Sequence, residues 1–169
     1  MIFLGSLLAG FLLVLHSAAY AETLVGEVVG LVDGDTVAVL ATNKVIHKIR
    51  IAGIDAPEKP QPFAGQSRQR LADLVFRKQV IVDWHKTDRY GRIIGKVSVG
   101  DVDAGLEQIR AGMAWHYKQY AHEQSPEDRD IYSAAEDLAR QNRIGLWRHE
   151  EPVAPWKFRR AAARTDRDR

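Results

Sequence analysis

From Glu22 onward the apolar positions fall first into short alternating runs and only later into helical spacing. Leu24–Val32 alternates loosely, Asp33-Gly34-Asp35 makes a turn, and Thr36–Leu40 (TVAVL) resumes the alternation. That period of two sets one face of a strand against a core. Asn43-Lys44 turns the chain again, and Val45–Gly53 reads as a third strand. Short strands joined by tight turns predict a curled antiparallel meander rather than alternating strand–helix–strand units. The loop from Pro57 to Pro62 holds three prolines, and beyond it Leu71, Leu74 and Val75 sit at helical spacing within Phe63–Arg77. Gln79–Trp84 (QVIVDW) and Arg92–Val99 (RIIGKVSV) are two further strands. Asp103–Arg110 is a short helix stopped by Gly112, and a last helix over Arg129–Asn142 turns Ile131, Ala135, Leu138 and Ala139 inward. Gly145-Leu146-Trp147 then reads as an apolar plug on the body. Five strands with three interleaved helices predict an α+β, mainly β fold: a five-stranded antiparallel barrel of the OB type.

The first 21 residues obey a different rule. They contain no Asp, Glu, Lys or Arg, and the apolar run Ile2–Leu15 is short for a bilayer span. Ala19-Tyr20-Ala21 supplies the small-x-small pattern of a signal-peptidase site, so residues 1–21 are expected to be a cleaved signal peptide. The alternative is an uncleaved anchor; either way the folded part is exported, to the periplasm or beyond. Residues 22–155 are then one domain, and the tail from Trp156 to Arg169, with six Lys or Arg against two Asp, is expected to be a basic, disordered end. Apolar residues at 46% and charged residues at 27% of the 169 argue for a globular chain. Cysteine is absent, so disulfides and thiolate metal sites are excluded, and any metal site must use oxygen or histidine.

Four clusters carry charge where a plain barrel has no use for it. Asp33-Gly34-Asp35-Thr36 fits a hairpin turn, but a turn needs one aspartate, and Asp35 begins a strand, where carboxylates are disfavoured. Arg50-Ile-Ala-Gly-Ile-Asp55-Ala-Pro-Glu58 ends a strand in one cation and two carboxylates. The odd separation of Arg50 and Asp55 points them to opposite faces of a regular strand, unless Gly53 curls it. A solvated strand end is the plain alternative. Asp88-Arg89-Tyr90-Gly91-Arg92 is a turn with two arginines, which suit bidentate phosphate contacts but also a solvated basic loop. Trp115-His-Tyr117-Lys-Gln-Tyr120 interleaves aromatics with a base; Trp115 reads as core, the tyrosines as candidate stacking surfaces, and His116 and His122 as surface residues. Together the carboxylates, arginines and aromatics are an inventory for metal-assisted phosphodiester hydrolysis.

On these motifs the chain closely resembles the staphylococcal nuclease family: DGDT, RIAGIDAPE, DRYGR, IRAGMAW and AEDLAR followed by GLW, in order, across Leu24–Trp147. The resemblance implies an OB-type barrel and a Ca²⁺-dependent nuclease that cuts DNA and RNA, single strands preferred, at the 5′ P–O bond to leave 3′-phosphate ends. It implies Ca²⁺ carboxylates at Asp35 and Asp55, a carbonyl ligand at Ala56, and Asp33 behind the metal. It places the general base on Glu58, phosphate-binding arginines on Arg50 and Arg92, and terminal-phosphate contacts on Arg89 and Tyr90. Tyr117 and Tyr120 are both candidates for stacking on the base. A monomer is expected. The rival reading is a non-catalytic OB barrel that holds single strands without cutting them.

Overall fold

The computed structural model describes residues 22–165; residues 1–21, expected to be a signal peptide, and the last four residues of the tail lie outside them. Strand β1 (Glu22–Leu31) pairs antiparallel with both β2 (Thr36–Ala41) and β5 (Gln79–Thr87). The partner of β2 is β3 (Ile46–Ile51), and that of β5 is β6 (Ile93–Val99). The barrel closes where β3 meets β6 in parallel, Ile49 opposite Ile93 and Arg50 opposite Ile94. One seam of the otherwise antiparallel barrel is therefore parallel. The short β7 (Val102–Asp103) extends the β6 edge, and β4 (Ile54–Asp55) pairs with β8 (Trp115–His116) in a separate ribbon.

Inward positions of the barrel strands are mainly aliphatic, and Val28, Val37, Val39, Ile49, Ile51, Val82 and Val97 are fully buried. Each such side chain contributes about 1.5–3 kcal/mol of burial, so the barrel interior is the chief source of stability. Three helices cap it: α1 (Ala64–Val75) through Leu71 and Val75, α2 (Ala104–Arg110) through Ile109, and α3 (Pro126–Gln141) through Tyr132 and Ala135.

Helix α3 starts before the expected Arg129. Ser125 accepts a hydrogen bond from Asp128 N, Pro126 takes the first turn, and Glu127 and Asp128 face the helix dipole. Its buried face also differs from the apolar reading. Ile131 and Leu138 are exposed, whereas Tyr132, Ala135, Glu136 and Ala139 point inward. Polar members of that face are satisfied: Tyr132 OH donates to Asp103, and Glu136 accepts from His116 N and Lys118 Nζ. His116 is likewise buried, its Nε2 bonded to Gln124 Oε1 at 2.8 Å, and is not a surface residue.

The C-terminal plug forms as expected from its apolar residues. Trp147 packs edge-on against Trp115 at 4.4 Å between centroids, with the Arg140 guanidinium over the Trp147 ring at 3.9 Å. Beyond it the described part of the tail, expected to be unordered, is helical as α4 (Pro155–Thr165). Proline at its first turn, a run of three alanines and several arginines favour that helix. Trp156 holds it to the body, stacked on Tyr117 with rings 15° apart and edge-on to Trp115.

Candidate active site

The mouth of the barrel is built on two backbone devices. At the first turn, Gly34 leaves no room for a side chain, since a Cβ there would lie 1.9 Å from Ser67 Oγ. The fully buried Gln108 holds the turn from below, its Nε2 donating to Gly34 O at 2.8 Å and to Ser67 O at 3.0 Å. This α2–α1 clamp aims Asp33 and Asp35 upward. Asp33 Oδ1 accepts from Asp35 N, while Asp35 accepts from Thr36 Oγ1 and from Ala56 N, each at 2.8 Å.

The second device lies after β3. The strand ends at Ile51, the chain turns through Ala52 and Gly53 with Gly53 at φ +75°, and β4 carries Asp55 back to the side of Arg50. The odd spacing is thus resolved by a turn between two strands. Arg50 Nη2 lies 2.7 Å from Asp55 Oδ1 and 3.4 Å from Asp35 Oδ2, and Nη1 donates to Ile54 O at 3.0 Å. One guanidinium ties both carboxylates together.

The facing wall comes from the β5–β6 turn. Asp88 accepts from Tyr90 N and Arg92 N and binds Arg92 Nε at 2.8 Å. Its slight burial is outweighed by those donors, which hold Asp88 below the usual carboxylate range. Arg89 and Arg92 flank the exposed Tyr90 ring, each 5.6 Å from its centroid. Tyr117 stands beside Arg50, and Tyr120 packs edge-on against Tyr117 at 4.9 Å.

Asp33, Asp35, Arg50, Asp55, Ala56, Glu58, Arg89, Tyr90, Arg92, Tyr117 and Tyr120 all line one cavity of about 490 Å³. Within it Arg50, Asp35 and Asp55 are in direct contact, whereas Arg92 is paired with Asp88. The cavity also takes in Lys86, Glu123 and Arg159, which the motifs do not single out. Lys86 pairs with Glu123 and lies over the Tyr120 ring. Arg159 of α4 forks onto both Asp55 oxygens and reaches Glu58 Oε1 at 2.6 Å. Its only sequence signal is one positive charge inside a basic tail with helix-forming composition. Gln108 and Ser67 carry no such signal, because their importance lies in a buried contact across helices.

The electrostatics show a surplus of buried negative charge. Burial and the neighbouring Asp35 push Asp33 up to about 6. Burial pushes Asp55 above the usual carboxylate range, with Arg159 and Arg50 pulling against it. Burial also works against the Arg50 charge, but Asp35 and Asp55 outweigh it and hold Arg50 above the ordinary arginine value. Among the described residues no three His, Asp or Glu side chains form a ready-made metal cage. The donor set still fits a hard divalent cation: Asp35 and Asp55 offer carboxylate oxygens, and buried carboxylates that repel one another gain from added positive charge.

A closed OB-type barrel with carboxylates and arginines gathered at its mouth defines a class of fold and site together. The chain belongs to the staphylococcal nuclease family: the family model described as "Staphylococcal nuclease homologue" matches residues 48–149. It is similar to the protein ParB of Escherichia coli, 42% identical over 159 residues that cover 88% of this chain and 85% of that one. It is 38% identical to a micrococcal nuclease of Shigella flexneri over 170 residues, 94% of this chain and 93% of the relative. An uncharacterized endonuclease of Haemophilus influenzae is 39% identical over 144 residues, 85% and 78% of the two chains.

Proposed function

We propose that this chain is an exported nuclease that hydrolyses phosphodiester bonds of DNA and RNA with Ca²⁺, acting as a monomer and preferring single strands. The single observation that carries the reading is Arg50, which binds Asp35 and Asp55 inside a cavity whose other wall presents Arg92. Similarity to a micrococcal nuclease and to an endonuclease supports the same activity. Export rests on the apolar leader with its small-residue site at Ala19-Tyr20-Ala21.

Asp35, Asp55 and the carbonyl of Ala56 would hold the ion, with Asp33 behind them. Bound there, Ca²⁺ would act as a Lewis acid on a phosphate oxygen. Glu58, on the loop after β4 and half-buried at the cavity edge, accepts a proton from the attacking water. Arg50 and Arg92 face the phosphate from two walls and stabilise the charge that grows on its equatorial oxygens. In-line attack on the 5′ P–O bond then leaves a 3′-phosphate. Arg89 and Tyr90 meet a terminal phosphate, and Tyr117 or Tyr120 offers a face to the base.

The test is incubation of single-stranded DNA, plasmid and RNA with the purified chain, in Ca²⁺ or in chelator. Degradation that stops in chelator and leaves 3′-phosphate ends is the expected result. Retarded but intact nucleic acid in both conditions would instead support a non-catalytic single-strand-binding barrel.

A further inference from the structure

Helix α4 lies beyond residue 149, where the family model ends, yet it reaches into the centre of the site. Arg159 Nη1 lies 3.1 Å from Asp55 Oδ1 and 2.6 Å from Glu58 Oε1, and Nη2 lies 2.9 Å from Asp55 Oδ2. One guanidinium therefore bridges the carboxylate proposed to hold the cation and the carboxylate proposed to take the proton. We propose that Arg159 is an internal counter-ion that competes with the divalent cation for Asp55 while pairing with Glu58, so that α4 sets the cation concentration at which the site assembles. The inference rests on the proposed function for the roles of those two carboxylates.

Three observations carry it. The Asp55 side chain is 1% exposed; Arg50 meets its Oδ1, and Arg159 engages both of its oxygens and is the cation on Oδ2. A Ca²⁺ ion sits at about 2.3–2.6 Å from a carboxylate oxygen, which puts it in repulsive contact with a guanidinium on the same lone pairs. Arg159 itself is 41% exposed, so it can swing off without opening the barrel core. The anchor of α4 is equally local. Trp156 stacks on Tyr117 at 5.2 Å and meets Trp115 edge-on at 5.6 Å. Trp156 thereby covers a face of Tyr117 that a nucleobase would otherwise use. The same helix thus caps the acidic pair and one stacking surface.

The test is calorimetric titration of the full chain with Ca²⁺ alone, so that the readout is binding rather than turnover. Arg159→Gln is expected to bind Ca²⁺ about tenfold more tightly than the wild-type chain, the scale of removing an opposing charge in direct contact. Arg160→Gln, which removes the same charge one residue along the helix, is expected to change affinity by less than about twofold. Trp156→Ala, which loosens the anchor and keeps the guanidinium, is expected to shift affinity the same way as Arg159→Gln by a smaller factor. Circular dichroism melts establish that each variant is folded. Equal or weaker Ca²⁺ binding by folded Arg159→Gln overturns the inference, as does equal tightening by Arg160→Gln. If neither the wild-type chain nor Arg159→Gln takes up Ca²⁺, the proposed function fails and the inference with it.

Discussion

Asp33 is a carboxylate whose charge its burial and its neighbour Asp35 disfavour. Its folded pKa of about 6 lies above the 3.8 of an unperturbed aspartate, so between those values the folded state binds the extra proton. The contribution of this group to stability therefore falls as pH rises through that window and stays lost at neutral pH. Asp33→Asn keeps an acceptor for Asp35 N and removes the charge. In chelator at pH 7 it should stabilise the protein by roughly 1–2 kcal/mol, allowing for partial exposure, and the gain should vanish below about pH 4. Melts at the two pH values measure this, and an equal gain at both would refute the cause. Arg92 belongs to the same scale: Arg92→Ala should lower kcat by about 100- to 1000-fold while leaving the melting temperature close to wild type. Wild-type turnover by the folded variant would remove Arg92 from the proposed chemistry. Residue types at the mouth were legible in the sequence because each charge stood where a strand or turn had no need of it. Their partners were not legible. The Arg50–Asp55 contact depends on a turn at Gly53 that ends β3 early and leads into a separate β4, and spacing alone points the two side chains apart.

Among elements, the turn between β1 and β2 depends most on its neighbours. Gln108 reaches it from α2 and Ser67 reaches it from α1, both fully buried. Gln108→Leu keeps the volume and leaves the Gly34 and Ser67 carbonyls without that donor, at a cost of about 1–3 kcal/mol in urea unfolding. Because the same bonds aim Asp33 and Asp35, Ca²⁺ affinity should fall together with stability, and unchanged affinity in the folded variant would separate the clamp from the site. Element types were readable because period and turn residues agree in each strand. Faces were harder. The inward side of α3 is carried by Tyr132 and Glu136, whose polar atoms are satisfied by Asp103, His116 and Lys118, so hydrophobic periodicity placed Ile131 and Leu138 inside where solvent meets them. For α4 the signal was compositional charge, which does not distinguish a solvated end from a helix that docks through one tryptophan and one arginine.

At the scale of the molecule, the barrel interior and its closure decide stability together. Ile49 is fully buried on β3 and sits opposite Val37 on one side and Ile93 on the other. Ile49→Ala removes packing at the closing seam and should cost about 2–5 kcal/mol, lowering the melting temperature by on the order of 10 °C. A loss below 1 kcal/mol would show that the barrel interior relaxes around the missing atoms. The parallel contact of β3 with β6 joins Ile49 to Ile93 across two other strands and a helix. Such a pairing closes a long loop, so its entropy cost falls late and slows folding relative to the local hairpins. Arg50 lies on one edge of that seam and Arg92 immediately precedes the other. An unfinished chain, or one transiently opened along the seam, holds apart the two arginines proposed to face the phosphate. Activity should therefore return during refolding in step with the last kinetic phase, behind the appearance of sheet signal.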